Sequence, residues 1–367
     1  MKLHIFNPEH DMALAANLHR FTAPHAGRQM RADLGFLPVL WADDGDMVLV
    51  DDVEASLESA RHIARYASDV AFVSACDLKN IPAEMLEAMQ VEPWGWNINV
   101  VEQLVRANPL FASVVPSAKV LESIRSLSNR RFAAERLLPD LCETDGRLVG
   151  RSLYCANEAE AMEAMSRNGR SVLKSPWSSS GRGVRYVQDV MPEPQLVGWM
   201  RNVMRQQGGI MVEPFYCCVC DFGMEFMACQ DSNVDYCGLS LFATRGGAYT
   251  GSVCATESDK RDMLSRYVNM ELLDDVRRNI QSILAPLLRG VYTGPFGVDM
   301  MAVGDGDGAM MLHPCVELNL RRTMGHVALA LTPSPAEPRR LMNVYYAGKY
   351  RLRIKHTAEN LLNTGLC

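Results

Sequence analysis

The chain has no run approaching the roughly 20 consecutive apolar residues that cross a bilayer, so no membrane partner is expected. Its first residues, Met1 to Pro8, lack the apolar core of a secretory signal. With that core missing, and with an odd count of 11 cysteines, reduced thiols and a cytoplasmic protein are expected. An excess of basic charge is also missing. Thirty-seven Lys+Arg against 43 Asp+Glu leave a formal charge of −6, which argues against nucleic acid as the main partner. No second Cys/His pair follows Cys217, Cys218 and Cys220 at zinc-ribbon spacing, so these thiols read as buried structural residues. There is no Gly-Lys-Ser/Thr of a Walker A loop, no internal repeat, no low-complexity segment and no apparent Ser-His-Asp set.

What remains is an ordinary globular composition. Of 367 residues, 48% are apolar and 22% charged, enough to build two or three domains without staples. Over the first 115 residues short apolar runs (Lys2 to Phe6, Phe36 to Trp41, Met47 to Val50, Asp69 to Ser74) alternate with helical periodicity, as at Val53 to Tyr66 and Ile98 to Ala107. That alternation predicts a small, mostly parallel α/β domain. Leu121 to Leu138 reads as helix-rich, with Ser128-Asn129 as a cap. Strands are then expected at Ser171 to Lys174, Arg185 to Val187, Ile210 to Val219, Gly223 to Cys229 and Leu239 to Thr244. Asp262 to Arg289 reads as helix, Phe296 to Val303 and Met310 to Leu320 as a strand pair, and Arg339 to Cys367 as a final helix with a tail.

Three segments carry chemistry. Lys174 ends a strand and is followed by Ser178-Ser179-Ser180-Gly181-Arg182-Gly183-Val184. Small residues let backbone N–H groups close on phosphate oxygens, and the lysine supplies a point charge; a plain β-hairpin with an exposed lysine is the alternative. Glu317-Leu318-Asn319-Leu320-Arg321 places a carboxylate, an amide and a guanidinium on one strand face. Hard oxygens suit Mg²⁺ or Mn²⁺ completed by substrate phosphates, with Asp299 on the preceding strand as a further ligand. A tight hairpin centred on Gly306 would set Asp299 opposite His313, about 13 Å short of Glu317. A bulge near Pro314, which cannot donate a ladder hydrogen bond, would restore the register. The third segment is Met211-Val212-Glu213-Pro214-Phe215, a strand with a lone acid that could meet an adenine edge; a plain strand end is the alternative.

Taken in order, these features resemble the ATP-grasp superfamily over roughly residues 115 to 330. The resemblance implies an α/β plus α+β fold, with a Rossmann-like, preATP-grasp-like domain at 1–118. It places a central subdomain with the glycine-rich loop at 119–210 and a C-terminal subdomain with metal-binding strands at 211–367. Arg130, with Arg131 as a substitute, Lys174, Ser178, Ser179, Ser180, Gly181 and Gly183 take the nucleotide-binding positions. Glu213 matches the adenine-side acid, and Asp221 stands near the ribose-binding acid. Asp299, Glu317 and Asn319 match the metal ligands, and Arg321, with Lys174, the catalytic cations. The implied activity is an ATP- and Mg²⁺-dependent carboxylate–amine ligase acting on an amino-acid or peptide-like compound, with homodimerisation as a family-level expectation. An ATP-grasp kinase and a nucleotide-binding protein without turnover remain as alternatives. Candidate substrate contacts are Asn7, Glu9, His10, Asp11, Arg245, His313, Arg322 and His326.

Overall fold

The computed structural model describes residues 1–178, 183–188, 193–245, 248–304 and 310–356. Four short parallel strands open the fold: β1 (Lys2–Ile5), β2 (Met47–Leu49), β3 (Ala71–Val73) and β4 (Gln90–Pro93), in the order β3-β2-β1-β4. Leu3, Ile5 and Val91 pack with Val100, Leu104 and Phe111 of the helix Ile98–Ala107 and the turn after it. Asn97 caps that helix by accepting from the Val100 N–H. The expected strand at Phe36 to Trp41 is instead a buried 3₁₀ turn, Leu37–Leu40. Pro38 sits in its first turn, where a missing N–H costs nothing.

The second layer is an antiparallel sheet of β5 (Leu153–Cys155), β6 (Ser171–Lys174), β7 (Val184–Val187) and β8 (Ile210–Pro214), ordered β5-β8-β6-β7. Helices Glu158–Asn168 and Pro194–Gln207 cover one face through Ala161, Met165, Met200 and Val203. The chain leaves this sheet after Pro214, so the strand expected to run from Ile210 to Val219 is broken at residues 215–217. The boundary expected at residue 210 therefore moves to the end of β8, which pairs with both β5 and β6.

The third layer holds β9 (Cys218–Ala228), β10 (Val234–Arg245), β11 (Ala248–Cys254), β12 (Gly294–Gly304), β13 (Met310–Asn319), β14 (Arg340–Tyr346) and β15 (Tyr350–His356). They form one antiparallel sheet, ordered β13-β12-β9-β10-β11-β14-β15. Helix Met270–Leu288 lays Leu273, Val276, Ile280 and Leu284 on it at helical spacing. The final helix expected from Arg339 is the β14–β15 hairpin; residues 357–367 lie outside the described part. Alternation of Val344, Tyr346 and Tyr350 with polar residues suits a half-buried strand pair. Met342 and Leu352 of this hairpin share a core with Phe6, Leu37 and Trp94, which joins the first layer to the third.

Candidate active site

Two facing groups of side chains define a cleft between the second and third layers. Lys174 ends β6 and Glu213 lies on β8, where Val172 pairs with Glu213 and Lys174 with Met211. Residues two apart share a face, so Lys174 and Glu213 meet diagonally, with Nζ 2.6 Å from Oε2 and both side chains at most 10% exposed. Asn129 caps a short helix by accepting from the Arg131 N–H, and Arg130 in its first turn turns into the cleft. Arg130 donates to the Ser175 carbonyl at 2.6 Å, the Ser178 hydroxyl at 2.7 Å and Glu317 Oε1 at 2.7 Å. Arg131 points away, to Glu135. The base of the expected phosphate loop is closed by the Ser175 N–H bonded to the Gly183 carbonyl. A side chain at Gly183 would meet the Ser178 hydroxyl at 2.3 Å. Ser179, Ser180 and Gly181 lie outside the described residues.

Opposite stands the acidic stripe. Gly297 pairs with Asn319 and Asp299 with Glu317, whereas Met301 pairs with His313. The ladder thus gains its bulge at residues 314–316, and the expected repair of the register occurs at Pro314. Asn319 Nδ2 donates to Asp299 Oδ2 at 3.0 Å, and Asn319 Oδ1 accepts from Arg321 at 2.7 Å. Burial, then the charges of Glu317 and Glu225, push the Asp299 carboxyl up to about 8. A cation beside Asp299 would relieve this repulsion. Among the described residues no group of three His, Cys, Asp or Glu side chains is arranged to hold a metal. Two carboxylates and an amide fit an ion that keeps waters and takes the rest of its ligands from phosphate.

Arg321 is the junction with the first layer. Its Nε and Nη2 each lie 3.0 Å from Asp11 Oδ2, so the segment after β1 reaches the end of β13. Burial opposes ionisation of Asp11, but Arg321 and His10 hold its carboxyl below the usual range. A cavity of about 230 Å³ opens beside this pair, walled by Phe6, Trp94, Phe242 and Tyr249 and floored by Asp299, Glu317 and Arg321.

Sequence reading missed Glu225, which also lines that cavity. Buried on β9, it accepts from Ser240 at 2.7 Å and Thr323 at 2.8 Å, and Gly297 and Gly325 leave it the space. Its one signal is a lone acid inside an apolar strand. His326 caps the helix Met324–Ala330 in a capping box with Thr323 and touches Glu225. Several other candidates are structural. Asn7 donates to the Gly95 carbonyl, and Glu9 pairs with Arg31. His10 packs against Gly95 and Asn97, with burial pulling it down to about 4. His313 is buried behind the stripe, and burial followed by the Lys174 charge holds it near 3. Asp221 binds Thr244 and Cys218 at the rim and contacts no other site residue among those described. Arg322 does not face solvent as a neighbour of Arg321 would; it is buried against Trp41 on the other side. Of the cysteine cluster expected to be buried, only Cys220 is; Cys217, which precedes β9, and Cys218, at its first position, are exposed. The Arg245 side chain and residues 246–247 lie outside the described part.

No family model matches the chain, and no curated protein matches it in sequence. Solved structures do. The biotin carboxylase domain of Hydrogenobacter thermophilus 2-oxoglutarate carboxylase, in complex with MgADP, ADP and bicarbonate, matches with a TM-score of 0.51 and 13% identity, over 94% of this chain and 74% of that one. The N5-carboxyaminoimidazole synthetase of Staphylococcus aureus complexed with ADP gives a TM-score of 0.47 at 13% identity, over 94% and 82%. Biotin carboxylase from Campylobacter jejuni gives 0.47 at 13%, over 94% and 75%. At this identity the first likeness speaks for architecture alone. No helix among the described residues is long and apolar enough to cross a membrane. A parallel α/β layer followed by two antiparallel sheets, matched over 94% of this chain by the biotin carboxylase domain, gives this chain the ATP-grasp fold with an N-terminal preATP-grasp-type domain.

Proposed function

We propose that the protein is an ATP- and Mg²⁺-dependent ligase that activates a small carboxylate as an acyl phosphate for attack by an amine. One observation carries the reading. Arg130, Lys174, Glu213 and Glu317 come from distant segments, yet satisfy one another through the pairs Arg130–Glu317 and Lys174–Glu213, and Arg321 stands two hydrogen-bonded residues further on, held by Asn319 and Asp11. Cations and acids so arranged exchange their partners readily for a polyphosphate and its metal. A known structure with the same fold, the biotin carboxylase domain, was solved with MgADP and bicarbonate, a ligand chemistry that supports this reading.

In this reading Lys174, Arg130 and the N–H groups of the 178–183 loop bind the phosphates, Glu213 meets the adenine edge and Asp221 the ribose. Asp299, Glu317 and Asn319 would hold Mg²⁺, which neutralises charge on the bridging phosphate oxygens. A substrate carboxylate oxygen attacks the γ-phosphorus and ADP departs. The amine then attacks the acyl carbon, phosphate leaves and the amine proton passes to solvent. Arg321 stabilises the oxygens that carry charge in both steps. The nucleotide lies between the sheet of β5–β8 and the sheet of β9–β15, and the carboxylate lies in the cavity beside Arg321.

The test is release of ADP and phosphate from MgATP across a matrix of small carboxylates and amines. Release that requires both co-substrates supports a ligase. Release with a single hydroxyl compound and a phosphorylated product makes it a kinase, and nucleotide binding without any turnover removes the enzyme reading.

A further inference from the structure

A second cavity, of about 410 Å³, lies behind the active-site arginine, between β4, the helix Ala118–Leu127 and the segment leading into β12. Arg321 and Thr323 line the front cavity, whereas Arg322 between them lines the rear one. Arg322 is 9% exposed. Its guanidinium lies over the Trp41 ring at 4.6 Å and makes no hydrogen bond among the described residues. The one carboxylate oxygen within reach is Glu92 Oε2, at 3.8 Å, too far for a hydrogen bond. None of its nitrogens is sealed among protein atoms, so the donor fork opens onto the cavity that Arg322 lines.

Glu92, 24% exposed in its side chain, makes ion pairs but no side-chain hydrogen bond among the described residues. Lys2 Nζ stands 3.8 Å away and His4 Nδ1 3.6 Å away. Burial lowers the His4 pKa, and His4 uses Nε2 for Asp46 at 2.9 Å, which leaves Nδ1 without a hydrogen bond. An open cavity therefore presents a free acceptor and a free donor fork side by side. The rest of its wall is apolar, from Trp96, Val120, Ile124 and Val291. A simple anion would satisfy Arg322 and meet the Glu92 charge; a simple cation would do the reverse. A zwitterion satisfies both and leaves the local charge unchanged.

We propose that this rear cavity binds a free α-amino acid with an apolar side chain, its carboxylate on Arg322, its ammonium on Glu92 and its side chain against Trp96, Val120, Ile124 and Val291. The site needs no nucleotide and is independent of the ligase reading.

Titration calorimetry of the full chain without nucleotide tests it, with leucine, N-acetylleucine, 4-methylpentanoate and 3-methylbutylamine as probes. Leucine binds, and each analogue lacking one charged end binds at least about tenfold more weakly, the loss expected when a charged hydrogen-bonding group loses its partner. Arg322→Gln abolishes leucine binding, and so does Val120→Phe, which fills the cavity and spares the charges. Phe242→Ala, in the front cavity, leaves it unchanged. If Arg322→Gln does not fold, as judged by circular dichroism, the analogue series and Val120→Phe decide. The proposal is overturned if leucine gives no heat, if N-acetylleucine or 4-methylpentanoate binds as tightly as leucine, or if Phe242→Ala removes binding that Val120→Phe preserves.

Discussion

Lys174 and Glu213 are a buried pair at 2.6 Å, and their burial makes each depend on the other. Lys174→Ala strands the Glu213 carboxylate and is expected to cost about 3 kcal/mol in urea unfolding. The double variant Lys174→Ala/Glu213→Ala recovers most of that loss, because no uncompensated charge remains. A double-mutant cycle showing no coupling would detach the two residues. Asp299 gives a second expectation. With its carboxyl pushed up to about 8 by burial, Glu317 and Glu225, the proton and the proposed Mg²⁺ would compete for the same oxygens. Mg²⁺ affinity, measured as Mg²⁺-dependent ADP binding, therefore rises about tenfold per unit as pH increases from 6 towards 8, and flattens above. The sign for folding is opposite. A carboxyl whose folded pKa lies above its unfolded value makes the metal-free protein less stable as pH rises towards 8. Asp299→Asn removes both slopes.

The elements show what the sequence displays and what it conceals. β12 and β13 were legible because apolar residues alternate with an oxygen-bearing stripe, and the Pro314 bulge followed from a register that would otherwise have separated Asp299 from Glu317. Asn129 was legible as a cap, and it has functional weight because the capped turn aims Arg130 into the cleft. Asn129→Ala should cost about 1 kcal/mol of stability and raise the KM for ATP while sparing kcat, which steady-state kinetics can separate. The hairpin of β14 and β15 was not legible, because its burial comes from Phe6, Leu37 and Trp94 of the first layer, some 300 residues earlier in the chain. The same reason explains the Leu37–Leu40 turn. Its run of apolar residues fits a strand equally well until Pro38 and the surrounding core are seen together. Glu225 escaped notice because a single acid in a strand has no spacing to read; only Ser240, Thr323 and the glycines around it make it a buried site.

At the scale of the whole molecule the decisive contact is Asp11 with Arg321, residues 310 positions apart. Neither motif announced the other. The segment after β1 reads as a set of candidate substrate contacts, and the arginine as the end of a metal-binding stripe. Their pairing means that the first layer orients the residue proposed to stabilise the acyl phosphate. Arg321 is also held by Asn319 and by the carbonyl of Arg322, so losing Asp11 loosens the guanidinium without releasing it. Asp11→Asn retains shape and one acceptor, whereas Asp11→Ala leaves the Nε side of Arg321 without its anion. The expected result is a graded fall in kcat, about tenfold for Asp11→Asn and about a hundredfold for Asp11→Ala, with ATP affinity within about twofold of the original. The nucleotide groups Lys174, Arg130 and Glu213 lie on other elements and keep their own partners. A positioning residue moves kcat and spares nucleotide binding. Equal losses in kcat and in ATP affinity would instead make Asp11 a general support of the cleft, and an unchanged kcat would separate the first layer from the chemistry.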